Sequence, residues 1–119
     1  MEEHIEFENL LIENKKLLFV CAANTQRSPT FEKWFKTHRP QYDVRSTGIY
    51  YGYPYILSSE LLDWADKVYL MDLSQELFIH IKYPKYISKC EVIGISDQYS
   101  QCSEDLIHLI WYWCRKNGL

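Results

Sequence analysis

A cysteine and an arginine six positions apart, with a serine directly after the arginine, form the clearest chemical motif in the sequence. They are Cys21, Arg27 and Ser28, and the intervening residues are Ala22, Ala23, Asn24, Thr25 and Gln26. A loop of this length can turn its backbone amides inward around a tetrahedral anion, with the cysteine at its base. The planar guanidinium of an arginine can hold two oxygens of that anion. The motif therefore predicts an oxyanion site with a thiol nucleophile beneath it.

The surroundings of this motif strengthen the prediction. With the cysteines, arginines, serines and threonines that the chain contains, the pattern is expected by chance about 0.01 times. It lies between a buried apolar run, residues 17–21, and a helix predicted to begin at Ser28 and Pro29. A helix N-terminus offers free N–H donors and the positive end of the helix dipole. These groups favour the anionic thiolate, which is the form of Cys21 that attacks.

The elements that position the loop follow from apolar runs, helix caps and turn residues. Strands are predicted at residues 17–21, 42–46, 67–71 and 90–95, and helices at residues 28–38, 58–65, 72–82 and 103–117. This alternation indicates a parallel sheet with helices on both faces. Ligands bind such sheets at the carboxyl ends of the strands. The loops that follow the four strands are therefore expected to line the site.

Length and composition indicate one globular domain. The chain has 119 residues, 47% of them hydrophobic and 24% charged, and residues 1–15 are predicted to form an amphipathic lead-in. A net charge of −3 without a basic stripe argues against nucleic acid as a partner. No apolar run approaches the roughly 20 residues of a membrane span, and the acidic N-terminus is unlike a signal peptide. We expect a single cytoplasmic domain over residues 1–119, with no membrane partner.

The other three cysteines show neither a metal-binding nor a disulfide pattern. Cys90, Cys102 and Cys114 are 12 residues apart, without the closely spaced pairs of a zinc site. No metal ion or other cofactor is predicted. Structural disulfides are not expected either, because nothing indicates secretion.

The loop and three later segments resemble the low-molecular-weight protein tyrosine phosphatases, in particular a short bacterial subgroup of predicted tyrosine phosphatases. The loop segment is Leu-Phe-Val-Cys-Ala-Ala-Asn-Thr-Gln-Arg-Ser-Pro-Thr-Phe-Glu, and the later ones are residues 45–48, 64–72 and 95–99. The similarity covers about residues 16–110. It implies a three-layer α/β/α sandwich, in which a four-stranded parallel sheet of order 2-1-3-4 carries the phosphate-binding loop after strand 1.

The resemblance also implies catalytic roles. Cys21 resembles the nucleophile, Arg27 the phosphate-binding arginine and Asp97 the general acid. Independently of the family, Asp97 follows the fourth predicted strand, where functional loops are expected. The alternatives are that Asp97 only forms a turn, or that Asp105 in the last helix donates the proton. The family usually has proline after the acid, whereas this chain has Gln98.

Three supporting residues are implied in the same way. Ser28 resembles the hydroxyl that steadies the thiolate. Asn24 resembles a loop asparagine in the left-handed conformation, which asparagine tolerates better than most residues. Ser46 resembles the residue that forms a hydrogen bond to this asparagine. The position before the arginine, often a second cysteine in the family, is Gln26.

Tyrosines on the predicted site edge are candidates for a substrate wall. Tyr50 and Tyr51 follow the second strand, and Tyr99 follows the fourth. Such rings could line a slot for a phosphorylated aromatic ring. The alternative is that they pack on the domain surface or form a partner interface.

These residues lead to one main hypothesis and two alternatives. The main hypothesis is a metal-independent phosphomonoester hydrolase, specifically a protein tyrosine phosphatase that forms a cysteinyl-phosphate. Its partners are a phosphotyrosine protein or a small phosphomonoester, with inorganic phosphate as product and inhibitor. The first alternative is a thiol-dependent arsenate reductase on the same loop, with Cys90 and Cys102 forming the disulfide. The second is a non-catalytic module that binds phosphate or phosphopeptides.

Overall fold

Four parallel strands form the centre of the fold, and helices cover both faces of the sheet. The computed structural model describes residues 15–50 and 56–119. The strands are β1 (Lys16–Cys21), β2 (Asp43–Gly48), β3 (Lys67–Leu70) and β4 (Cys90–Val92), and the helices are α1 (Arg27–His38), α2 (Ser59–Trp64), α3 (Leu73–Lys82) and α4 (Glu104–Asn117). A 3₁₀ helix, Pro84–Lys89, joins α3 to β4. No helix in the described part of the chain is long and apolar enough to cross a membrane.

The sheet has the order β2-β1-β3-β4, and its three strand pairs are all parallel. This confirms the predicted architecture and strand order. The central strand β1 pairs Cys21 with Gly48 of β2 and Val20 with Leu70 of β3. The carboxyl ends of three strands therefore meet at the edge where the loop after β1 begins.

Two apolar cores hold the helices to the sheet, one on each face. On one face α1 and α4 pack over Phe19, which is stacked on Phe31 with a ring-centroid distance of 4.8 Å. On the other face α2, α3 and the 3₁₀ helix pack over Leu18 and Val20. Successive side chains of a strand point to opposite faces, so β1 serves both cores by being apolar from Leu17 to Cys21.

Side-chain caps fix the starts of three helices. Ser58 caps α2, Asp72 caps α3 and Ser103 caps α4, each accepting a hydrogen bond from a backbone N–H in the first turn. Gly118, with a φ of 72°, ends α4 in the left-handed conformation. These caps place the helix boundaries close to those predicted from the sequence.

Several details differ from the prediction. The second strand runs to Gly48 rather than to residue 46. The fourth strand ends at Val92 rather than at residue 95, because the amides of Gly94 and Ile95 both turn to the Met71 carbonyl. Gly94 has a φ of 87°, a conformation that interrupts a strand. The 3₁₀ helix that starts at Pro84 was not predicted; its proline needs no hydrogen-bonding N–H in the first turn.

Candidate active site

Residues 21–27, called here the Cys21 loop, curl around the Cys21 sulfur at the end of β1. The backbone N–H of Asn24 donates to Cys21 Sγ over 3.2 Å. Asn24 has a φ of 54°, so it takes the left-handed conformation expected of it. This turn directs a backbone amide at the sulfur instead of at solvent.

Gly48, the last residue of β2, leaves the room that the Cys21 loop needs. A Cβ atom at residue 48 would lie 2.7 Å from the carbonyl carbon of Ala23 and 2.8 Å from the nitrogen of Asn24. The chain beyond β2 then binds the loop, because the N–H of Tyr50 donates to the carbonyl of Ala22 over 3.0 Å. The backbone of the Cys21 loop is therefore fixed from the β2 side.

The Ser28 hydroxyl links the thiol to its surroundings. Its Oγ lies 2.9 Å from Cys21 Sγ and also donates to Asn24 Oδ1 over 2.9 Å, with the carbonyl of Thr47 at 3.3 Å. A hydroxyl has one proton and must choose among these acceptors. A thiolate is charged and accepts the strongest hydrogen bond. The Ser28 hydroxyl is thus placed to donate to a Cys21 thiolate, and its role in steadying the thiolate stays a prediction.

Ser46 is not the partner of Asn24, so that prediction is wrong. The Ser46 hydroxyl donates to Glu32 Oε1 over 2.5 Å, whereas Asn24 Oδ1 accepts from Ser28. The strand register explains the difference. Ser46 pairs with Phe19 in the middle of β1 and therefore lies below the Cys21 loop, beside α1.

The Arg27 guanidinium is buried, and its described hydrogen bonds are all made by Nη1. Its Nη1 donates to Asp72 Oδ2 over 2.8 Å and to the carbonyl of Ile95 over 2.7 Å, and the side chain is 4% exposed. Within residues 15–50 and 56–119 these are the hydrogen bonds that it makes. The N–H groups of Nε and Nη2 therefore keep their capacity to bind two oxygens of an anion.

Asp72, which the sequence analysis placed only at the start of a predicted helix, also positions Arg27. Its Oδ1 accepts from the N–H of Ser74 over 2.9 Å, while Oδ2 accepts from Arg27. Desolvation alone raises the pKa of Asp72, but the hydrogen bonds from Arg27 and Ser74 outweigh it and hold the pKa below its usual range. Asp72 thus stays a carboxylate at neutral pH. The available signal was its position, directly after a predicted strand on the site edge.

The N-terminus of α1 adds to the positive potential around Cys21. This helix begins at Arg27, carries no acidic residue in its first turn, and has no side-chain hydrogen bond from its N-cap residue Gln26. The positive end of its dipole is therefore not offset by a capping group. Loop amides, helix dipole and Arg27 together can bind an oxyanion above the sulfur.

Asp97 lies in an exposed turn beyond β4, on the same edge of the sheet as the Cys21 loop. The turn is tied to the site through the preceding residues, because the Ile95 carbonyl accepts from Arg27. The Asp97 side chain is exposed. Its role as general acid stays a prediction.

The structure places two of the three candidate wall tyrosines. Tyr50 is 55% exposed next to the Cys21 loop, to which its amide is bound. Tyr99 is partly buried against the core on the α1 and α4 face of the sheet, so only part of its ring can face a substrate. Tyr51 lies outside the described residues.

The other three cysteines are free thiols, and none of them forms a disulfide with Cys21. Cys90 starts β4, at the end of the strand opposite to the site, and burial raises the pKa of its thiol to about 11. Cys114 lies in the core, where burial raises its pKa to about 12. Cys102 is exposed and its backbone contacts α1. A disulfide relay through Cys90 and Cys102, as the arsenate reductase alternative requires, is therefore not favoured.

The sheet order and the loop after the central strand give this chain the fold of the low-molecular-weight protein tyrosine phosphatases. The YwlE arginine phosphatase from Geobacillus stearothermophilus matches it with a TM-score of 0.71 at 21% identity, over 87% of this chain and 93% of its own. For the tyrosine phosphatase Wzb from Escherichia coli K30, in complex with phosphate, the TM-score is 0.70 at 17% identity, over 90% of both chains. For the low-molecular-weight protein tyrosine phosphatase from T. tengcongensis it is 0.62 at 22% identity, over 82% of this chain and 91% of that one. No family model and no curated protein matches the sequence, so the similarity is one of fold.

Proposed function

We propose that this chain is a cysteine-dependent, metal-independent phosphomonoester hydrolase that acts as a protein phosphatase on phosphotyrosine. The observation that carries the proposal is the combination of two groups at one loop. The buried Arg27 is held by Asp72 and Ile95 through Nη1, which leaves its other N–H groups for an anion, and the backbone amide of Asn24 donates to Cys21 Sγ. Solved structures with the same fold are described as tyrosine and arginine phosphatases, one of them in complex with phosphate. Phosphorylated proteins or small phosphomonoesters are the proposed substrates, and inorganic phosphate is the product and an inhibitor.

The reaction proceeds through two in-line displacements at phosphorus. In the first, the Cys21 thiolate forms an S–P bond while the ester O–P bond breaks, and Asp97 protonates the leaving oxygen. In the second, water attacks the cysteinyl-phosphate, Asp97 takes its proton, and the S–P bond breaks to release phosphate. Arg27 and the loop amides stabilise the charge on the equatorial oxygens in both steps. The positive charge that a metal ion would supply is provided by these groups.

A cytoplasmic location is part of the proposal. All four cysteines are free, and Cys21 must remain a reduced thiol to act as a nucleophile. A reducing compartment preserves this state, whereas an oxidising one exposes the thiolate to disulfide formation.

The function is tested by hydrolysis of p-nitrophenyl phosphate in the presence of EDTA, beside peptides that carry phosphotyrosine or phosphoarginine. We expect turnover that EDTA does not reduce and that inorganic phosphate inhibits competitively. Phosphate binding without turnover of any substrate contradicts the proposal and supports the non-catalytic module. Thiol-dependent reduction of arsenate without phosphatase activity supports the reductase alternative.

Replacement of the proposed acid should have an effect that depends on the leaving group. Asp97→Asn is expected to slow hydrolysis of esters with poor leaving groups, such as phenyl phosphate, by about 10²–10⁴-fold. The loss should be smaller for p-nitrophenyl phosphate, whose departing oxygen needs less protonation. The measurement is kcat across phenyl phosphates of graded leaving-group pKa.

The matched control is Asp105→Asn, which changes a carboxylate in the first turn of α4. It should leave the dependence on the leaving group as in the original protein. An equal loss for all esters in Asp97→Asn, or a steeper dependence in Asp105→Asn alone, contradicts the assignment of Asp97.

A further inference from the structure

Residues 96–103, called here the Asp97 loop, are fastened to the Cys21 loop and α1 on both sides. At the start of the Asp97 loop, Arg27 Nη1 donates to the carbonyl of Ile95 over 2.7 Å. Near its end, the backbone N–H of Cys102 donates to Thr30 Oγ1 over 2.9 Å. The first contact uses a residue already assigned to phosphate binding, whereas the second uses a residue with no assigned role.

Thr30 connects the two loops through one hydroxyl. Its side chain is buried, with 1% of the residue exposed, and Oγ1 donates its proton to the carbonyl of Gln26 over 2.6 Å. The same oxygen accepts from Cys102. A threonine in a helix often bonds back to the carbonyl four residues earlier, which accounts for the first contact only. Thr37 of the same helix makes that ordinary contact with the carbonyl of Lys33 over 3.1 Å.

The Asp97 loop takes an unfavourable conformation to reach this hydroxyl. Cys102 has a φ of 60°, which is uncommon for a residue other than glycine. Next to it lies the Gln101 side-chain amide. In the orientation that satisfies both of its ends, its nitrogen can donate to the carbonyl of Thr25 over 3.3 Å and its oxygen can accept from Lys33 Nζ over 2.9 Å. Backbone and side chain of this segment therefore both fasten the Asp97 loop to the Cys21 loop and α1.

We propose that Thr30 is a positioning residue that holds the Asp97 loop in register with the Cys21 loop. The inference rests on the proposed function, because position matters only if Asp97 delivers a proton to the leaving oxygen. Gln98 follows Asp97, so no proline ring restricts the backbone next to the acid. The hydrogen bond from Cys102 to Thr30 restrains the backbone at the C-terminal end of the Asp97 loop, and so replaces part of the restraint that a proline after Asp97 would give.

Thr30→Val tests the inference, because it removes the hydroxyl and nearly preserves the shape. We expect kcat for phenyl phosphate to fall about five- to tenfold, with a much smaller fall for p-nitrophenyl phosphate. The inhibition constant of inorganic phosphate should not change, since Cys21 and Arg27 remain in place. Thr30→Ser, which keeps the hydroxyl, should restore activity with phenyl phosphate. Thr37→Val, which loses the same kind of helix hydrogen bond, should leave both substrates unaffected.

Two further variants separate positioning from general stability. In an Asp97→Asn background, Thr30→Val should add no loss that depends on the leaving group, because the acid is already absent. Gln101→Ala weakens the attachment of the Asp97 loop to the Cys21 loop and α1 by changing an exposed residue. It should show a loss of kcat that depends on the leaving group even if Thr30→Val does not fold. Equal losses for both esters, or weaker phosphate binding, would overturn the inference and leave Thr30 a support of the Cys21 loop alone. An inactive original protein refutes the proposed function instead, so the two failures are distinguishable.

Discussion

We expect Cys21→Ser to lose turnover by about 10⁶-fold and still to bind oxyanions. A serine hydroxyl at this position is far less acidic than a thiol, so the surrounding amides and Arg27 cannot ionise it near neutral pH. The placement of Arg27 does not depend on the sulfur, since Arg27 is held by Asp72 and Ile95, and the loop backbone is also bound at Ala22 by the amide of Tyr50. The measurements are steady-state hydrolysis of p-nitrophenyl phosphate and phosphate binding by calorimetry.

The matched control for this substitution is Cys90→Ser, at the far end of β4. Its thiol donates to the carbonyl of Tyr86 over 3.4 Å, a contact that a serine hydroxyl can make as well. Cys90→Ser should therefore keep its activity. Retention of most activity in Cys21→Ser, or loss of phosphate binding in a folded Cys21→Ser protein, would contradict the role of Cys21 as nucleophile on a preformed anion site.

We expect Arg27→Lys to reduce kcat by about 10³–10⁵-fold, although it preserves the charge. A lysine ammonium can replace the contact of Nη1 with Asp72, but it then has no planar fork to offer the phosphoryl oxygens. Phosphate affinity should fall as well, unlike in Cys21→Ser. Single-substrate kinetics and the inhibition constant of phosphate measure the two effects.

Arg45→Lys is the control for the arginine chemistry. Arg45 is exposed on β2, with its guanidinium 4.1 Å from the ring centroid of Trp64 and outside the Cys21 loop. Its replacement should leave kcat unchanged. Near-normal catalytic efficiency in Arg27→Lys shows that Arg27 does not bind the phosphoryl group.

The order of the elements was predictable because its causes are local. The continuous apolar run of β1 serves two cores, and a serine or aspartate cap marks the start of three helices. The early end of β4 was not predictable, since it depends on two amides that share the carbonyl of Met71. Such a contact exists only once β3 and β4 have paired.

The same distinction separates the predicted site residues from the missed ones. Cys21, Arg27 and Ser28 lie within eight positions, so their spacing indicates a loop around an anion, and the family resemblance adds Asn24. Asp72 reaches Arg27 across 45 positions and Cys102 reaches Thr30 across 72. The wrong partner for Ser46 has the same origin, because the register of β2 against β1 decides which neighbour its hydroxyl meets.

The close approach of Gly48 to the Cys21 loop affects how a library of variants should be interpreted. Residue 48 has no functional group, yet any side chain there would push the backbone of Ala23 and Asn24, and with it the amide that faces the sulfur. An activity screen would rank both Gly48→Ala and Cys21→Ser as inactive. A screen for protein abundance would distinguish them, because only Gly48→Ala disturbs the packing of the backbone. Reading both screens together distinguishes residues that perform chemistry from residues that only make space for it.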